Sequence, residues 1–475
     1  MSKKIWSTNG ARLRRMVEML RAEGVWVTQR YYAGAVSRKL VRRVRSRMQT
    51  AGEDLVQADI QQQIGQSPIA EPELPQDVAN HLTDVLDTDI VVICAAFPGP
   101  DQPYGGEFIR TRVEGYVKAG VSVSVLVISA KVVGAKLEDC GLSSASVLRI
   151  PVRYLRSVLQ RVAVSEGAVF FHSPTPDLQA QARELIEKER ISFWFHGFEI
   201  RDYRRLYFNY DTAEMARLRV RLDDVNDQRF SEARRTLSDP GVNKIFVSEY
   251  LRKVAEIDTG VVAQSAHIIP NSIDVDRYRF VQKSKELSTK ILLIRSFSRA
   301  NYGNDIALNA IRILSQRPGF DSLQFTIRGF GDLFSELTQD VRRFPNVDVE
   351  EKYCTPDDMV ALHREHGVFL CPSRFDTQGV TMGEAMSSGL VCVTNRVAGI
   401  PEYIDEKSGV IVPPNDPIAF ADAISWLQNN PSVTPHISRE AGRRVRAQCG
   451  FTSTIAREIE LSRREQREPA LGVLN

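Results

Sequence analysis

"GVFLCPSRFDTQGVTMGEAMSSGLVCVTN", residues 367–395, decides the fold. Two apolar runs, at 368–371 and 390–393, enclose a glycine turn and a segment of helical character. Short apolar runs bounded by turn residues read as strands buried on both faces. A helix joining two of them makes the βαβ unit of a parallel sheet. Asp376 and Glu384 lie eight residues apart, on either side of Gly379 at the helix opening. One reading is local: Thr381 and Glu384 have the spacing of a capping box, whose hydroxyl and carboxylate satisfy orphan N–H groups. That reading leaves Asp376 without a role. The other is chemical. A helix N-terminus after a glycine turn offers unpaired N–H groups and the positive end of a dipole to a diphosphate. A carboxylate one turn into that helix can hold a ribose diol, and one at the strand end can hold sugar hydroxyls.

The same alternation extends in both directions. Upstream, "KILLIRSF", "LQFTIRGFG" and "NVDVE" are strand-like, and downstream so is "GVIVPP"; helical segments such as "DIALNAIRILSQ" and "IAFADAISWLQNN" lie between them. Earlier still, "DIVVICAAF", "VSVSVLVIS", "ISFWFHG", "NKIFVS" and "AHIIPN" read as strands, alternating with "EFIRTRVEGYVKAG", "DLQAQARELIEKER" and a charged helix over 214–237. The fold class is therefore α/β, with two tandem doubly wound Rossmann-like domains facing a cleft. The expected boundaries are a basic helical extension and linker at 1–77, a first domain at 78–275, a second at 276–450, and a C-terminal helix and tail at 451–475. Ligands of such sheets sit at the carboxyl ends of strands, so the cleft is where function belongs.

The chain has 475 residues, 43% hydrophobic and 25% charged, the composition of a soluble globular protein. It contains no apolar run of the roughly 18 residues a membrane span needs, and polar residues follow Lys3 and Lys4 where a secretory apolar core would stand. The six cysteines are scattered without CxxC spacing and read as reduced, buried and structural, in a cytoplasmic setting. Net charge is +3, but residues 1–50 hold thirteen basic and two acidic residues, a surplus of +11 that leaves −8 for the remainder. Two segments there, 11–23 and 36–48, put apolar residues on one helical face and arginines on the other. Such a segment reads either as a solvated helical pair or tail, or as attachment to an anionic membrane surface. Nucleic acid is the weaker reading, because no nucleic-acid module follows and the rest of the chain is acidic.

Other strand ends carry candidates of their own. "ILLIRSF" delivers Arg295, whose planar fork suits a phosphate pair. "FTIRGFGDLF" delivers Gly329 and Gly331, where a flat group of the donor could approach the backbone closely, but Phe334 stands where a dinucleotide fingerprint would have its third glycine. In the first domain, Gly105 and Gly106 lie between strand and helix, in a loop whose N–H groups could meet phosphate or acceptor, and His196 ends an apolar strand beside Gly197. No His, Cys or Asp cluster has metal-ligand spacing, and Asp87-Thr-Asp89 reads as the lead-in to the first strand.

Together these segments resemble the family 4 retaining glycosyltransferases of bacterial polysaccharide biosynthesis, which have the two-domain GT-B fold. The resemblance rests on "GGEFIRTRVEGYVKAG", "FHGFE", "VSEYLR", "IIPNSID", "IRSF", "GFG", "CPSRFDTQGVTMGEAMSSGL" and "AGIPEYIDEKSGVIVPPNDPIAFADAI", in the expected order from about residue 90 to 430. It implies a metal-independent hexosyltransferase without a cofactor. The nucleotide-sugar donor would be held by the second domain, and a glycan or lipid-linked acceptor would enter from the first. Asp376 would bind the donor sugar and Glu384 the ribose. The N–H groups of Gly379, Val380 and Thr381 would hold sugar and diphosphate, Arg295 would neutralise the leaving diphosphate, and His196 would sit near the donor sugar. Asn271 and Ser272 match a hinge-side segment in which Gly is usual at the second position. A late helix, expected at 454–465, often crosses back to the first domain in this fold.

Two departures matter. The first acid is Asp376 where Glu is commoner. Asn301 stands where the family usually has a second cation, a lysine, and Arg299 is near enough in sequence to substitute. The alternative function is a degenerate protein that binds a nucleotide sugar or a partner enzyme without turnover.

Overall fold

The computed structural model describes residues 72–99, 106–139, 141–142 and 144–463. The basic segment, most of the linker, Gly105 and Cys140 lie outside the described residues.

The first sheet runs β3-β4-β2-β1-β5-β6-β7-β8, where β1 is Ile90–Cys94, β2 Val123–Ser129, β3 Lys136–Glu138, β4 Ala145–Pro151, β5 Ala168–His172, β6 Ile191–Phe195, β7 Asn243–Phe246 and β8 Ala266–Ile268. All its pairs are parallel except β3 with β4. The second sheet runs β11-β10-β9-β12-β13-β14, all parallel, with β9 Lys290–Ile294, β10 Gln324–Gly329, β11 Val347–Glu351, β12 Val368–Leu370, β13 Val391–Asn395 and β14 Gly409–Val412.

Each sheet buries both faces, which is why its strands are unbroken apolar runs. Along β1, Val91 and Ile93 enter one core while Ile90, Val92 and Cys94 enter the other. Along β9, Ile291 and Leu293 face one core and Leu292 and Ile294 the opposite one. The strand period of two thus supplies two hydrophobic layers from a single run.

In both sheets the chain steps outward from a central strand and then restarts on its other side, between β1 and β5 and between β9 and β12. These reversals open crevices at the strand ends. The helices that build on them are α1 (Gln76–Val85), α2 (Glu107–Lys118), α3 (Glu249–Thr259), α4 (Val380–Ser387), α5 (Thr434–Cys449) and α6 (Ile455–Ser462).

Every strand expected from the sequence forms. Three more were not anticipated: β3, β4 and β5. Helix α1 begins at Gln76, inside the expected linker, and buries Val78, Leu82 and Val85 against the first domain. The Asp87–Asp89 lead-in holds: the Asp89 carboxylate accepts from the Ser122 amide at 2.8 Å and its hydroxyl at 2.7 Å. The five described cysteines are buried and unpaired. Among the described residues no helix is long and apolar enough to cross a membrane.

The last helix does cross back. Ile455 and Ile459 of α6 join the core behind β1, with Ile455 packed on Gly115 of α2. The second domain is thereby tied to the first at its C-terminal end as well as through the chain at 270–290.

Candidate active site

Arg295 follows β9 and Asp376 follows β12, so the switch point of the second sheet brings them together. Arg295 is buried, its Nη1 3.9 Å from Asp376 Oδ2 and its Nη2 3.4 Å from the Ser373 hydroxyl, with the guanidinium over the Tyr302 ring. Asp376 Oδ1 accepts the Gly379 amide at 2.8 Å and the Gln378 amide at 3.2 Å. This corrects the capping-box reading. Gly379, with φ of 82°, is the residue before α4, so Thr381 already lies inside the helix and no side chain caps α4. Asp376 closes the turn instead, which takes up the Gly379 N–H and leaves Oδ2 facing Arg295. The amides of Val380 and Thr381 open the helix and have no carbonyl one turn behind them.

Glu384 lies one turn into α4. Burial pushes its carboxyl up to about 8, reinforced by Glu107 at the start of α2; a hydrogen bond from Tyr278 and the charges of Arg277 and Arg295 oppose this. Glu107 and Glu384, from different domains, thus lie within electrostatic reach of one another.

The glycines of "GFG" have a different task from the one expected. A Cβ at Gly329 would stand 2.1 Å from the Arg295 carbonyl, and one at Gly331 would stand 2.5 Å from the Ser298 amide. What approaches these glycines is the loop after β9 itself. The Phe297 amide donates to the Phe330 carbonyl at 2.7 Å, locking that loop. Gly329 and Gly331 thus position Arg295. Gly106 precedes α2, where a Cβ would meet the Ala96 carbonyl at 2.5 Å, so it fits the helix against the end of β1.

His196 ends β6 on the facing wall, its ring 4.5 Å from that of Phe108. Its Nε2 meets Nδ1 of the buried His172, at the end of β5, at 3.1 Å. Burial first, then the Arg112 charge, hold both imidazoles well below the usual histidine range, so both are neutral. Glu199 closes the turn after His196, accepting the His196 and Gly197 amides at 3.1 and 2.6 Å. Buried polar atoms normally find partners; His196 Nδ1, Arg295 Nε and Asn301 Oδ1 have none among the described residues.

The domains touch around this space. Thr377 Oγ1 donates to the His196 carbonyl at 2.9 Å. Gln378 pairs with the backbone of Asn271 in both directions. Glu402 accepts the Glu249 and Tyr250 amides at 2.9 and 2.7 Å, so a carboxylate of one domain caps α3 of the other. Arg112 of α2 bonds Asn271 Oδ1 at 2.9 Å and Glu458 of α6 at 3.1 Å.

Residues 288–430 match the family described as "Glycosyl transferases group 1". The matched residues contain Arg295, Asp376 and Glu384 and span the strands of the second sheet. The two-domain architecture is the GT-B fold. Sucrose-phosphate synthase from Thermosynechococcus elongatus superposes with a TM-score of 0.59 at 16% identity, covering 78% of this chain and 98% of the other. Anabaena HepE in complex with UDP and glucose superposes at 0.57 with 14% identity, again covering 78% and 98%. Among curated relatives, the amylovoran biosynthesis glycosyltransferase AmsK of Erwinia amylovora is 27% identical over 215 residues, 42% of this chain and 50% of AmsK. A D-inositol 3-phosphate glycosyltransferase of Corynebacterium glutamicum is 23% identical over 273 residues, 53% of this chain and 65% of that protein. The chain spans about half the length of the curated relatives it matches.

Four contributors escaped the sequence reading. Gln378 lies within the opening motif, where its neighbours Asp376 and Thr377 are polar too and nothing set it apart. Arg112 and Glu458 are 346 residues apart and gave none. Arg201, four residues beyond Gly197, holds its guanidinium over the Phe375 ring, and burial brings it down to about 10. Among the described residues no group of three or more His, Cys, Asp or Glu is placed to hold a metal ion.

Proposed function

We propose that this protein transfers a glycosyl group from a nucleoside diphosphate sugar to a hydroxyl of a glycan or lipid-linked acceptor, with retention of anomeric configuration, as a family 4 glycosyltransferase. The carrying observation is the juxtaposition of the buried Arg295, the open oxygen of Asp376 and the first amides of α4 at one strand-end crevice. The group 1 match over those residues and the UDP and glucose held by HepE, a protein of the same fold, support the reading.

The bond between the sugar C1 and the diphosphate oxygen breaks, and its electron pair leaves with the diphosphate. Arg295 and the N-terminus of α4 absorb the developing charge, and positioned charge of this kind is a large catalytic term. The acceptor oxygen bonds C1 on the face the diphosphate leaves, and its proton passes to a diphosphate oxygen. Asp376 Oδ2 holds donor-sugar hydroxyls, Glu384 the ribose diol, and neutral His196 contacts the donor sugar through Nδ1. Charge neutralisation is assigned to these cationic groups, without a metal or bound cofactor. The basic segment 1–50 would bring the protein to the inner face of an anionic membrane; pelleting of the full chain with phosphatidylserine vesicles but not with neutral ones is the expected result.

The test is thermal stability with UDP, GDP, ADP and dTDP on wild type and Glu384→Ala. A ligand of the folded state alone adds RT ln(1 + [L]/Kd), about 2.7 kcal/mol at a hundredfold excess over Kd. One nucleotide should raise the wild-type midpoint and fail with Glu384→Ala; no shift with any nucleotide rejects the reading. Asn301, in place of a second cation, favours binding without turnover as the second reading. A nucleotide shift with no glycosyl transfer from the matching sugar nucleotides would select it.

A further inference from the structure

A cavity of about 400 Å³ lies between the domains, one residue along the chain from Asp376. Its first-domain wall is the turn Tyr203–Asn209, contributing Arg205, Tyr207 and Phe208, together with Tyr250 of α3; its second-domain wall is Arg374, Phe375 and Asn415. The turn reaches across the cleft, where Asn209 Oδ1 accepts the Ala300 amide at 3.1 Å in the loop that carries Arg299.

Three features define what fits. The walls are aromatic: Tyr207 and Phe208 meet edge to face at 5.6 Å, and so do Tyr250 and Phe375 at 6.0 Å. Tyr207 lines the cavity and is 67% exposed, so most of its surface is not used in packing. The cations are already matched. Arg205 forks onto Asp258, and Arg374 forks onto Asp305 at 2.7 Å through each nitrogen. Bidentate pairing fixes both guanidinium planes and offsets the charge of each. A phosphate or carboxylate would therefore find both lining guanidiniums already paired, and the Arg201 guanidinium nearby lies against the Phe375 ring; an alkyl chain would desolvate two ion pairs without recompense. A pyranose ring suits all three features: its C–H faces stack on aromatic rings while its hydroxyls meet fixed planar hydrogen-bonding edges.

We propose that this cavity, walled by Tyr207, Phe208, Arg205 and Arg374, is a subsite for an uncharged sugar ring of the acceptor. The assignment rests on the glycosyl-transfer reading and narrows it: the acceptor presents a glycan beside Asp376, not a lipid headgroup alone. Tyr207 is largely exposed, so its truncation leaves the fold intact.

The full-length protein, saturated with the nucleotide that stabilises it, is probed by saturation-transfer NMR with the methyl glycosides of glucose, galactose, mannose and N-acetylglucosamine. At least one should receive saturation on its ring protons from wild type, with affinity lowered about tenfold or more in Tyr207→Ala. The nucleotide thermal shift should be the same in both proteins. Equal glycoside binding by Tyr207→Ala overturns the subsite, and so does the absence of any glycoside signal with wild type. Loss of the nucleotide shift in Tyr207→Ala would assign the cavity to the donor and also overturn it. Absence of a nucleotide shift in wild type is a separate result, which removes the glycosyl-transfer reading itself.

Discussion

Gln378 and Asn271 exchange a pair of hydrogen bonds across the interface: Gln378 Oε1 accepts the Asn271 amide at 2.6 Å, and Nε2 donates to the Asn271 carbonyl at 2.9 Å. Both residues are buried. Gln378 lies between Asp376 and Gly379, so the clamp also holds the turn that presents Asp376 to Arg295. Gln378→Leu removes both bonds and leaves two buried backbone groups unpaired, a loss of about 1–3 kcal/mol. Denaturant unfolding should show that loss, and turnover should fall further, by about a hundredfold, because a small displacement of a positioned group is costly. Unchanged turnover at full donor occupancy would show that the clamp has no part in placing Asp376.

A second tie is ionic. Arg112 and Glu458 are fully buried, and Arg112 also reaches Asn271 Oδ1. Removing one partner of such a pair leaves an uncompensated buried charge, at about 3–5 kcal/mol. Glu458→Ala should therefore destabilise more than Glu458→Ala combined with Arg112→Met, and a double-mutant cycle read by calorimetry measures the difference. Additive losses would mean that the two charges do not compensate one another.

The sheets were legible because their strands are apolar runs bounded by turns, a signal that needs no tertiary context. Strand β4 was harder to see: "ASVLRIP" interrupts its apolar pattern with Arg149, whose charge is matched by Glu138 on the antiparallel neighbour. Arg295 and Asp376 were legible as residues that follow strands and Glu384 as one of the helix between two strands, but their partners were not. Which amides Asp376 takes up depends on the left-handed Gly379, and the helix start moved by two residues from the capping-box reading. Gly329 and Gly331 looked like a ligand cradle because the sequence does not reveal that the Arg295 loop fills the space beside them. Glu402 and Glu458 act on the other domain, and no local pattern reports a contact between domains.

Glu384 makes stability depend on pH. Its carboxyl titrates near 4.5 in the unfolded chain and near 8 in the folded protein, raised by burial and by Glu107. Between those values the folded protein keeps a proton that the unfolded chain releases. The contribution is thus complete below about 4.5 and is lost as pH rises through about 8. Glu384→Gln should flatten the fall of the thermal midpoint across this window, with the largest gain over wild type at its alkaline end. A wild type and variant whose midpoints run parallel would place the Glu384 carboxylate in water.

The missing second cation gives the last prediction. Asn301 occupies the position, but its side-chain oxygen is buried and its backbone carbonyl accepts the Arg374 amide at 2.8 Å, a bond that any residue can make. Arg299 lies within electrostatic reach of both Tyr302 and Arg201, and Arg295 packs on the Tyr302 ring. On the glycosyl-transfer reading, the cationic field at the diphosphate would therefore be set by Arg295 and Arg299, with Arg201 on the facing domain. Loss of one positioned charge costs about a hundredfold to a thousandfold in turnover. Arg295→Ala should fall in that range. Arg299→Ala should lower kcat far more than Asn301→Ala, which leaves the backbone contact intact. Asn301→Lys should raise kcat in the Arg299→Ala background by restoring a cation. Steady-state kinetics on the four variants decide it: small, equal effects of Arg299→Ala and Asn301→Ala would show that Arg299 does not take the place of the absent lysine.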